Sequence, residues 1–379
     1  MKKFSLTILF AVSVSLMLQA QGKKIPVFTS GQEGYQSYRI PALICLPNGD
    51  LLAFCEGRVG GSDDFGNIDI VMKRSRDRGR SWSRIQILVD AGNLQAGNPA
   101  PVVDLTDPAY PKGRIFLFYN TGNNHESEVR NGNGQREVLY ITSADNGLTW
   151  SAPVNITAMV HPADWRSYAN TPGHAMQFAK GKFKGRIFVA ANHSAGDPQK
   201  RFADYRAHGY YTDDHGLHFH LSADVDIPGG NENMATELSN DRLMLNFRNQ
   251  KGDMRSRIVA ISSNGGANWD TVYFDPRLPD PVCQGSILTL GYRNDKAIIA
   301  VCNTADTSQR DNLTLRISFD EGRTWASDFV IDKSPENYSG AFTAYSDITQ
   351  MPAHRIGALY EKDNYSKIVF TVVDWSADE

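Results

Sequence analysis

Arginine, tyrosine and carboxylate side chains recur along this chain at points where apolar runs end. Arg39 stands in Tyr38-Arg39-Ile40-Pro41, Glu56 and Arg58 flank Gly57, and Asp63 and Asp64 sit in a glycine-bounded stretch from Gly61 to Gly66. Glu232 follows Asn231, Arg248 closes Leu245-Asn246-Phe247-Arg248, and Arg310 precedes Asp311 and Asn312. Tyr345 lies in Ala344-Tyr345-Ser346-Asp347, and Glu361 ends Leu359-Tyr360-Glu361. Arginine offers a permanent charge on a planar fork that grips a carboxylate through two parallel hydrogen bonds. A tyrosine beside a glutamate base is a nucleophile that arrives neutral, and an aspartate can give and take a proton. Taken singly, such residues are ordinarily solvated surface groups or rim ion pairs. Chemistry therefore depends on elements that gather residues scattered from position 39 to position 361.

A repeat supplies those elements. Ser or Thr is followed two places on by Asp or Asn, two further by Gly and three further by Trp or Phe. The pattern occurs at Ser75-Asp77-Gly79-Trp82, Ser143-Asp145-Gly147-Trp150, Thr212-Asp214-Gly216-Phe219, Ser262-Asn264-Gly266-Trp269 and Ser318-Asp320-Gly322-Trp325. The Asp or Asn side chain can bond backbone N–H groups ahead of it, the Gly accepts a positive φ, and the aromatic tucks beneath the turn. Alternating runs such as 68–75, 137–143 and 312–318 lead into these boxes, so each is expected to cap two antiparallel strands and its aspartate to be structural. Further strand-like runs fill the intervals, and helical periodicity is nearly absent. Recurring units of this kind predict an all-β fold, a six-bladed β-propeller of four-stranded antiparallel blades, about 60 residues per blade.

Composition narrows the classes. The chain has 379 residues, 41% of them hydrophobic, with 42 acidic against 39 Lys and Arg side chains. Disorder is excluded, and the broad cationic footprint of a nucleic-acid binder is missing. Lys2 and Lys3 precede an apolar run from Phe4 to Leu18, and Ala20 offers a small residue for cleavage. That run is shorter than the ~18 residues of a spanning helix, so residues 1–20 read as a signal peptide and 21–379 as one exported domain, periplasmic or secreted, without a membrane span. Of the four cysteines, Cys283 and Cys302 flank apolar runs and read either as a bridge across a hairpin or as two buried thiols. No pair has metal-ligand spacing.

The boxes and the opening Arg-Ile-Pro motif together resemble the sialidase (neuraminidase) family, specifically bacterial exo-α-sialidases, over nearly the whole mature chain. The resemblance implies hydrolysis of terminal sialic acid from sialylated glycans, glycoproteins or gangliosides, with the site on the face opposite the boxes and no metal or cofactor. It implies that Arg39, Arg248 and Arg310 form an arginine triad for the sugar's carboxylate. Asp64 is then the acid/base, Tyr345 the nucleophile and Glu232 its partner; Glu361 holds the first arginine, and Glu56 and Arg58 lie near the C4 hydroxyl. Asp64 is chosen over Asp63 because its spacing to Ile70 and Val71 suits the family register. Phe219 and Asn264 depart from the box pattern and touch turns only. A glycan-binding propeller without chemistry and a trans-sialidase remain open at this point.

Overall fold

Alternation of apolar and polar residues makes strands nearly everywhere in the computed structural model, which describes residues 22–375. The signal peptide expected at 1–20 lies outside the described residues. After β1 (Ile25–Thr29), the chain enters a sheet built of β2 (Ser37–Cys45), β3 (Leu51–Arg58), β4 (Ile68–Ser75), β5 (Gln86–Val89), β6 (Gln95–Asp104), β7 (Arg114–Gly122), β8 (Arg136–Ser143) and β9 (Val154–Asn155). A second sheet holds β10 (Trp165–Asn170), β11 (Met176–Gln177), β12 (Ile187–Ala195), β13 (Tyr205–Thr212) and β14 (His220–Leu221). A third holds β15 (Gly230–Glu237), β16 (Leu243–Asn249), β17 (Ser256–Ser262) and β18 (Thr271–Pro279). A fourth holds β19 (Ser286–Arg293), β20 (Lys296–Thr304), β21 (Leu313–Ser318) and β22 (Ser327–Asp332). In the last, β23 (Thr343–Met351), β24 (Arg355–Lys362) and β25 (Lys367–Asp374) are completed by β1, so the two ends of the propeller ring meet in one sheet. Helix is confined to α1 (Glu126–Arg130), α2 (Thr157–Val160) and one short 3₁₀ turn among the described residues.

The all-β propeller expectation holds; the expected six separate four-stranded blades do not. Four sheets stand alone as blades, three four-stranded and one five-stranded, and the remaining sheet is a continuous eight-stranded one. Continuity comes from β4 and β6, which pair in parallel at Ile68 and Gln95, helped by a bond from the Ile68 amide to the Leu94 carbonyl at 3.3 Å. The short connection from β5 delivers β6 alongside β4 before the two diverge, a contact that no repeat period reveals.

Each box joins the third strand of its unit to the outermost one: β4 to β5, β8 to β9, β13 to β14, β17 to β18 and β21 to β22. In the second box Ser143 Oγ donates to Asp145 Oδ1 at 2.8 Å and accepts the Gly147 amide at 2.7 Å, while Asp145 accepts the Thr149 amide at 2.9 Å and its hydroxyl at 2.6 Å. The amide bond recurs around Asp77, Asp214, Asn264 and Asp320, and the hydroxyl bond at Asp77 and Asp320, while a His218 ring nitrogen takes the place of the hydroxyl at Asp214. Two consecutive residues have positive φ in each turn, such as Asn146 at 61° and Gly147 at 80°, which is the twist that suits tight hairpins. Glycine is demanded for a second reason. A Cβ on Gly79 would collide with the Phe370 ring of β25, and one on Gly266 with Phe188 of β12, so the turn lies directly on the preceding sheet. The box aromatics pack there too, Trp82 on Phe370, Trp150 on Phe54, Phe219 on Phe118 and Trp269 on Phe188, with ring centroids 5.4, 6.3, 5.9 and 6.3 Å apart. The first, third and fourth boxes thus lock neighbouring sheets together as well as turning the chain, whereas Trp150 packs within the eight-stranded sheet.

Cys283 and Cys302 are buried free thiols. Among the described residues no helix is long and apolar enough to cross a membrane.

Asp145 is held down to about 2, partial enclosure being outweighed by its bonds to Thr149 and Ser143. A depressed carboxyl contributes stability that is complete above its unfolded value near 4 and vanishes as pH falls through the folded one. Asp145→Ala is therefore expected to lower the melting temperature at neutral pH, at a cost of about 1 kcal/mol, and the gap to the wild type should narrow between about pH 5 and about pH 2. Thermal melts across that range check it; activity lost at an unchanged melting temperature would show the boxes to be misread.

Candidate active site

Strand register places the site at the end of the propeller away from the boxes. Across the first three strands of the eight-stranded sheet, Arg39, Glu56 and Ile70 lie in one row, whereas Cys45, Leu51 and Ser75 form the row that leads into the first box. At the Arg39 end, the strands lining the axis are irregular. Bulges fall between Arg39 and Ala42 in β2, Gly97 and Ala100 in β6, Trp165 and Tyr168 in β10, Gly230 and Asn233 in β15, and Thr343 and Ser346 in β23. A bulge breaks the alternation of the strand and re-aims side chains, here toward a pocket of about 320 Å³. Backbone strain accompanies this. Ile40 and Val282, both β-branched, have φ of 61° and 68°, and residues of that type adopt such angles only where their surroundings enforce it.

Eight of the nine residues expected from the sequence line this pocket: Arg39, Glu56, Arg58, Asp64, Glu232, Arg248, Arg310 and Tyr345. Glu361 lies beneath its floor, fully buried. It accepts Arg39 Nε at 2.7 Å, the Ile40 amide at 2.9 Å and the Tyr345 amide at 3.2 Å, tying β24 to the bulged segments of β2 and β23. Burial works against the Arg39 charge, but Glu361 more than offsets it and keeps the guanidinium protonated.

Tyr345 is the hub. Its hydroxyl donates to Glu232 Oε1 at 2.6 Å and accepts Arg248 Nη1 at 2.9 Å, while the same arginine nitrogen bonds Glu232 Oε2 at 2.7 Å. The guanidiniums of Arg39 and Arg310 each lie 5.4 Å from the Tyr345 ring centroid. Burial first, then the Glu232 charge, pushes the phenol well above its ordinary value, against the pull of Arg248 and Arg310. The hydroxyl is consequently neutral at rest, with a carboxylate already placed to take its proton.

On the next edge, Glu56 pairs with Arg58 through Nη2 at 2.6 Å and accepts the Asn98 amide at 3.0 Å, while Arg58 Nη1 reaches Asp64 Oδ1 at 2.8 Å. Asp64 rides an exposed loop, its side chain 80% accessible. Enclosure by the walls raises its pKa, yet Arg58 and Arg39 outweigh this and leave it below the ordinary carboxylate range. Exposed Asp63 is absent from the pocket lining, whereas Asp64 belongs to it.

Tyr365 was not foreseen. Its ring sits 4.1 Å under the Arg39 guanidinium, and its hydroxyl accepts Arg310 Nη1 at 3.1 Å. It belongs to a turn of three positive-φ residues, Asp363 to Tyr365, between β24 and β25, and no local pattern distinguishes it from any other turn tyrosine. Among the described residues, two clusters with His and Asp atoms within 4.8 Å of one another lie outside the pocket lining. In one, Asp107 is paired with Arg114 at 2.9 Å; in the other, His193 and His208 bond each other at 3.1 Å.

Comparison with known proteins settles the family. A BNR repeat-like domain matches residues 49–360. The chain is 34% identical over 359 residues to a sialidase of Micromonospora viridifaciens, covering 88% of this chain and 51% of that protein, so it spans about half the length of that relative. It is 29% identical to an exo-alpha-sialidase of Arthroderma benhamiae over 88% of this chain and 79% of that one. A Hadza microbial sialidase superposes with a TM-score of 0.78 at 24% identity, covering 92% of this chain and 68% of the other. The chain belongs to the BNR-repeat sialidase family.

Within that family the arginine geometry invites a direct check. Arg310 is held through Nη1 by Tyr365 and through Nη2 by the Val282 carbonyl at 3.3 Å, and a lysine could satisfy neither arrangement while still presenting two donors to a carboxylate. Arg310→Lys is expected to lower kcat/KM on an aryl sialoside by about 10- to 150-fold, the loss of one charge-assisted bond. Wild-type kinetics in the folded variant would remove Arg310 from the triad.

Proposed function

We propose that this protein is an exo-α-sialidase that releases terminal α-ketosidically linked sialic acid from glycans, glycoproteins or gangliosides by a retaining, two-step route. The observation that carries the reading is the Tyr345 hydroxyl, bonded at 2.6 Å to Glu232 and at 2.9 Å to Arg248 inside a pocket where three guanidiniums converge. Sialic acid bears a carboxylate on its anomeric carbon. Arg39, Arg248 and Arg310 bind that carboxylate, and a nucleophile next to it must be neutral, because an anionic one would be repelled.

In the first step the C2–O bond to the leaving glycan breaks as Asp64 gives its proton to that oxygen. The Tyr345 oxygen bonds to C2 while its own proton passes to Glu232. In the second step water attacks C2, its proton goes to Asp64, the bond to tyrosine breaks, and Glu232 returns the proton to the phenolate. Tyrosine takes the place that a carboxylate holds in most retaining glycosidases. Asp64 must acquire a proton before it can give one, and the resting arginine field opposes this. Substrate binding relieves it, since the incoming carboxylate neutralises part of the charge of Arg39 that holds Asp64 down. The basic and apolar stretch at the start of the chain supports export, so that the enzyme meets its substrates in the periplasm or outside the cell.

Leaving groups separate the two roles. A glycan hydroxyl needs a proton in the transition state and an aryl leaving group does not, so Asp64→Ala should lose about 10² to 10⁴ in kcat/KM on sialyllactose and much less on an aryl sialoside. Tyr345→Phe removes the covalent route for either and should depress both heavily. Equal losses on both substrates for Asp64→Ala, or the leaving-group-dependent loss in Asp63→Ala instead, would overturn the assignment.

A further inference from the structure

The bulge that aims Tyr345 into the pocket also deprives its segment of regular strand partners. β23 is moreover the end strand of its sheet, so only one of its edges pairs with another strand. Glu361 of β24 holds the Tyr345 amide, as described above. The next residue, Ser346, is held from elsewhere. Gln284, in the connection between β18 and β19, lies 62 positions before it in the chain and is 1% exposed. The Gln284 Oε1 atom accepts the Ser346 amide at 2.9 Å, and Nε2 donates to the Ser346 carbonyl at 3.0 Å. One side-chain amide thus supplies Ser346 with both bonds that a neighbouring strand would give.

Nε2 also donates to the Pro172 carbonyl at 2.9 Å, in the connection between β10 and β11. One N–H to accept and two carbonyls to satisfy call for an amide, because an ionised carboxylate donates nothing. The peptide that carries Gln284 is itself pinned. Asp280 accepts the Val282 amide at 2.7 Å and the Cys283 amide at 3.0 Å. Arg257, fully buried, donates from one nitrogen to Asp280 at 3.0 Å and to the Cys283 carbonyl at 2.6 Å. This short run meets the site at three points: the Val282 carbonyl accepts Arg310, Cys283 shares an apolar cluster with Ile40, Ala344 and Tyr345, and Gln284 holds Ser346.

A mount of this kind matters because a nucleophile must be held within about 0.5 Å of its productive geometry, and a bulged end strand does not supply that precision by itself. Gln284 is absent from the pocket lining, so its influence on the reaction passes through the backbone. We propose that Gln284 is the positioning residue of the nucleophile: by clasping the backbone of Ser346 it sets how close the Tyr345 oxygen stands to the anomeric carbon, without touching substrate. This inference rests on the sialidase reading above. The arginines do not share the dependence, since Asp280 fixes Val282, and with it the Arg310 contact, independently of the Gln284 side chain.

The test compares full-chain wild type with Gln284→Met, which keeps length and bulk but makes none of the three bonds. Two quantities are read: kcat/KM on an aryl sialoside, and the inhibition constant of free sialic acid, which binds through its carboxylate. Misplacing a reacting group by about 1 Å costs about 10² in rate, so kcat/KM should fall about 100-fold while the inhibition constant keeps its wild-type value. A residue that served only the fold would lower the melting temperature and leave kcat/KM of the folded enzyme unchanged. Gln284→Asn, which keeps the amide and shortens its reach, reads the same split if the methionine variant does not fold. Unchanged kcat/KM in a folded variant, an equal loss in sialic acid binding, or failure of both variants to fold overturns the positioning role alone. No turnover of the aryl sialoside by the wild type overturns the sialidase reading, and the positioning role with it.

Discussion

The bond network of Glu361 is the contact on which the rest of the site depends. One fully buried carboxylate joins Arg39, 322 positions away, to the backbone amides of Ile40 and Tyr345. A charge in such a place is tolerated only when it is paired and saturated with hydrogen bonds, and this one is. The pairing does three things at once. It compensates the first guanidinium of the triad, it fixes two bulged strands at the angle that turns Arg39 and Tyr345 inward, and it holds Ile40 at a positive φ that costs on the order of 1–3 kcal/mol.

The remaining charges follow the same logic of local compensation with one face left open. Arg248 is answered by Glu232 and the Tyr345 hydroxyl, and Arg310 by the Tyr365 hydroxyl and the Val282 carbonyl. Arg58 is shared between Glu56 and Asp64. Three cations kept this close repel one another, so the site is poised for an anion, and the strain of assembling it is stored in the sheets before substrate arrives. The box locks at the opposite end supply the rigidity that such storage needs, because in the first, third and fourth boxes an aromatic and a glycine without room for a side chain anchor one sheet to the next.

Legibility in the sequence divides along physical lines. The boxes could be read because their bonds are local: Asp145 reaches Thr149, four residues away, and the spacing is the structure. The site residues could be listed through family resemblance but not placed, since bulges in β2, β6, β15 and β23 defeat the two-residue alternation from which facing is inferred. Tyr365 escaped notice for a related reason: its contacts with Arg39 and Arg310 join segments far apart in the chain and leave no mark on the neighbouring residues. The continuous eight-stranded sheet was hidden likewise, because a single parallel pairing of Ile68 with Gln95 decides it.

The central claim is that Tyr345, neutral at rest and deprotonated by Glu232, forms the covalent bond to the anomeric carbon. A 3-fluorosialosyl fluoride tests it most directly, because fluorine beside that carbon slows both oxocarbenium-like steps while the fluoride leaving group lets the first proceed. Intact-mass measurement followed by peptide mapping should find one fluorosialosyl adduct on the peptide that contains Tyr345, located on the tyrosine oxygen. An adduct on Asp64 or Glu232, or none in enzyme that still turns over an aryl sialoside, would contradict the account.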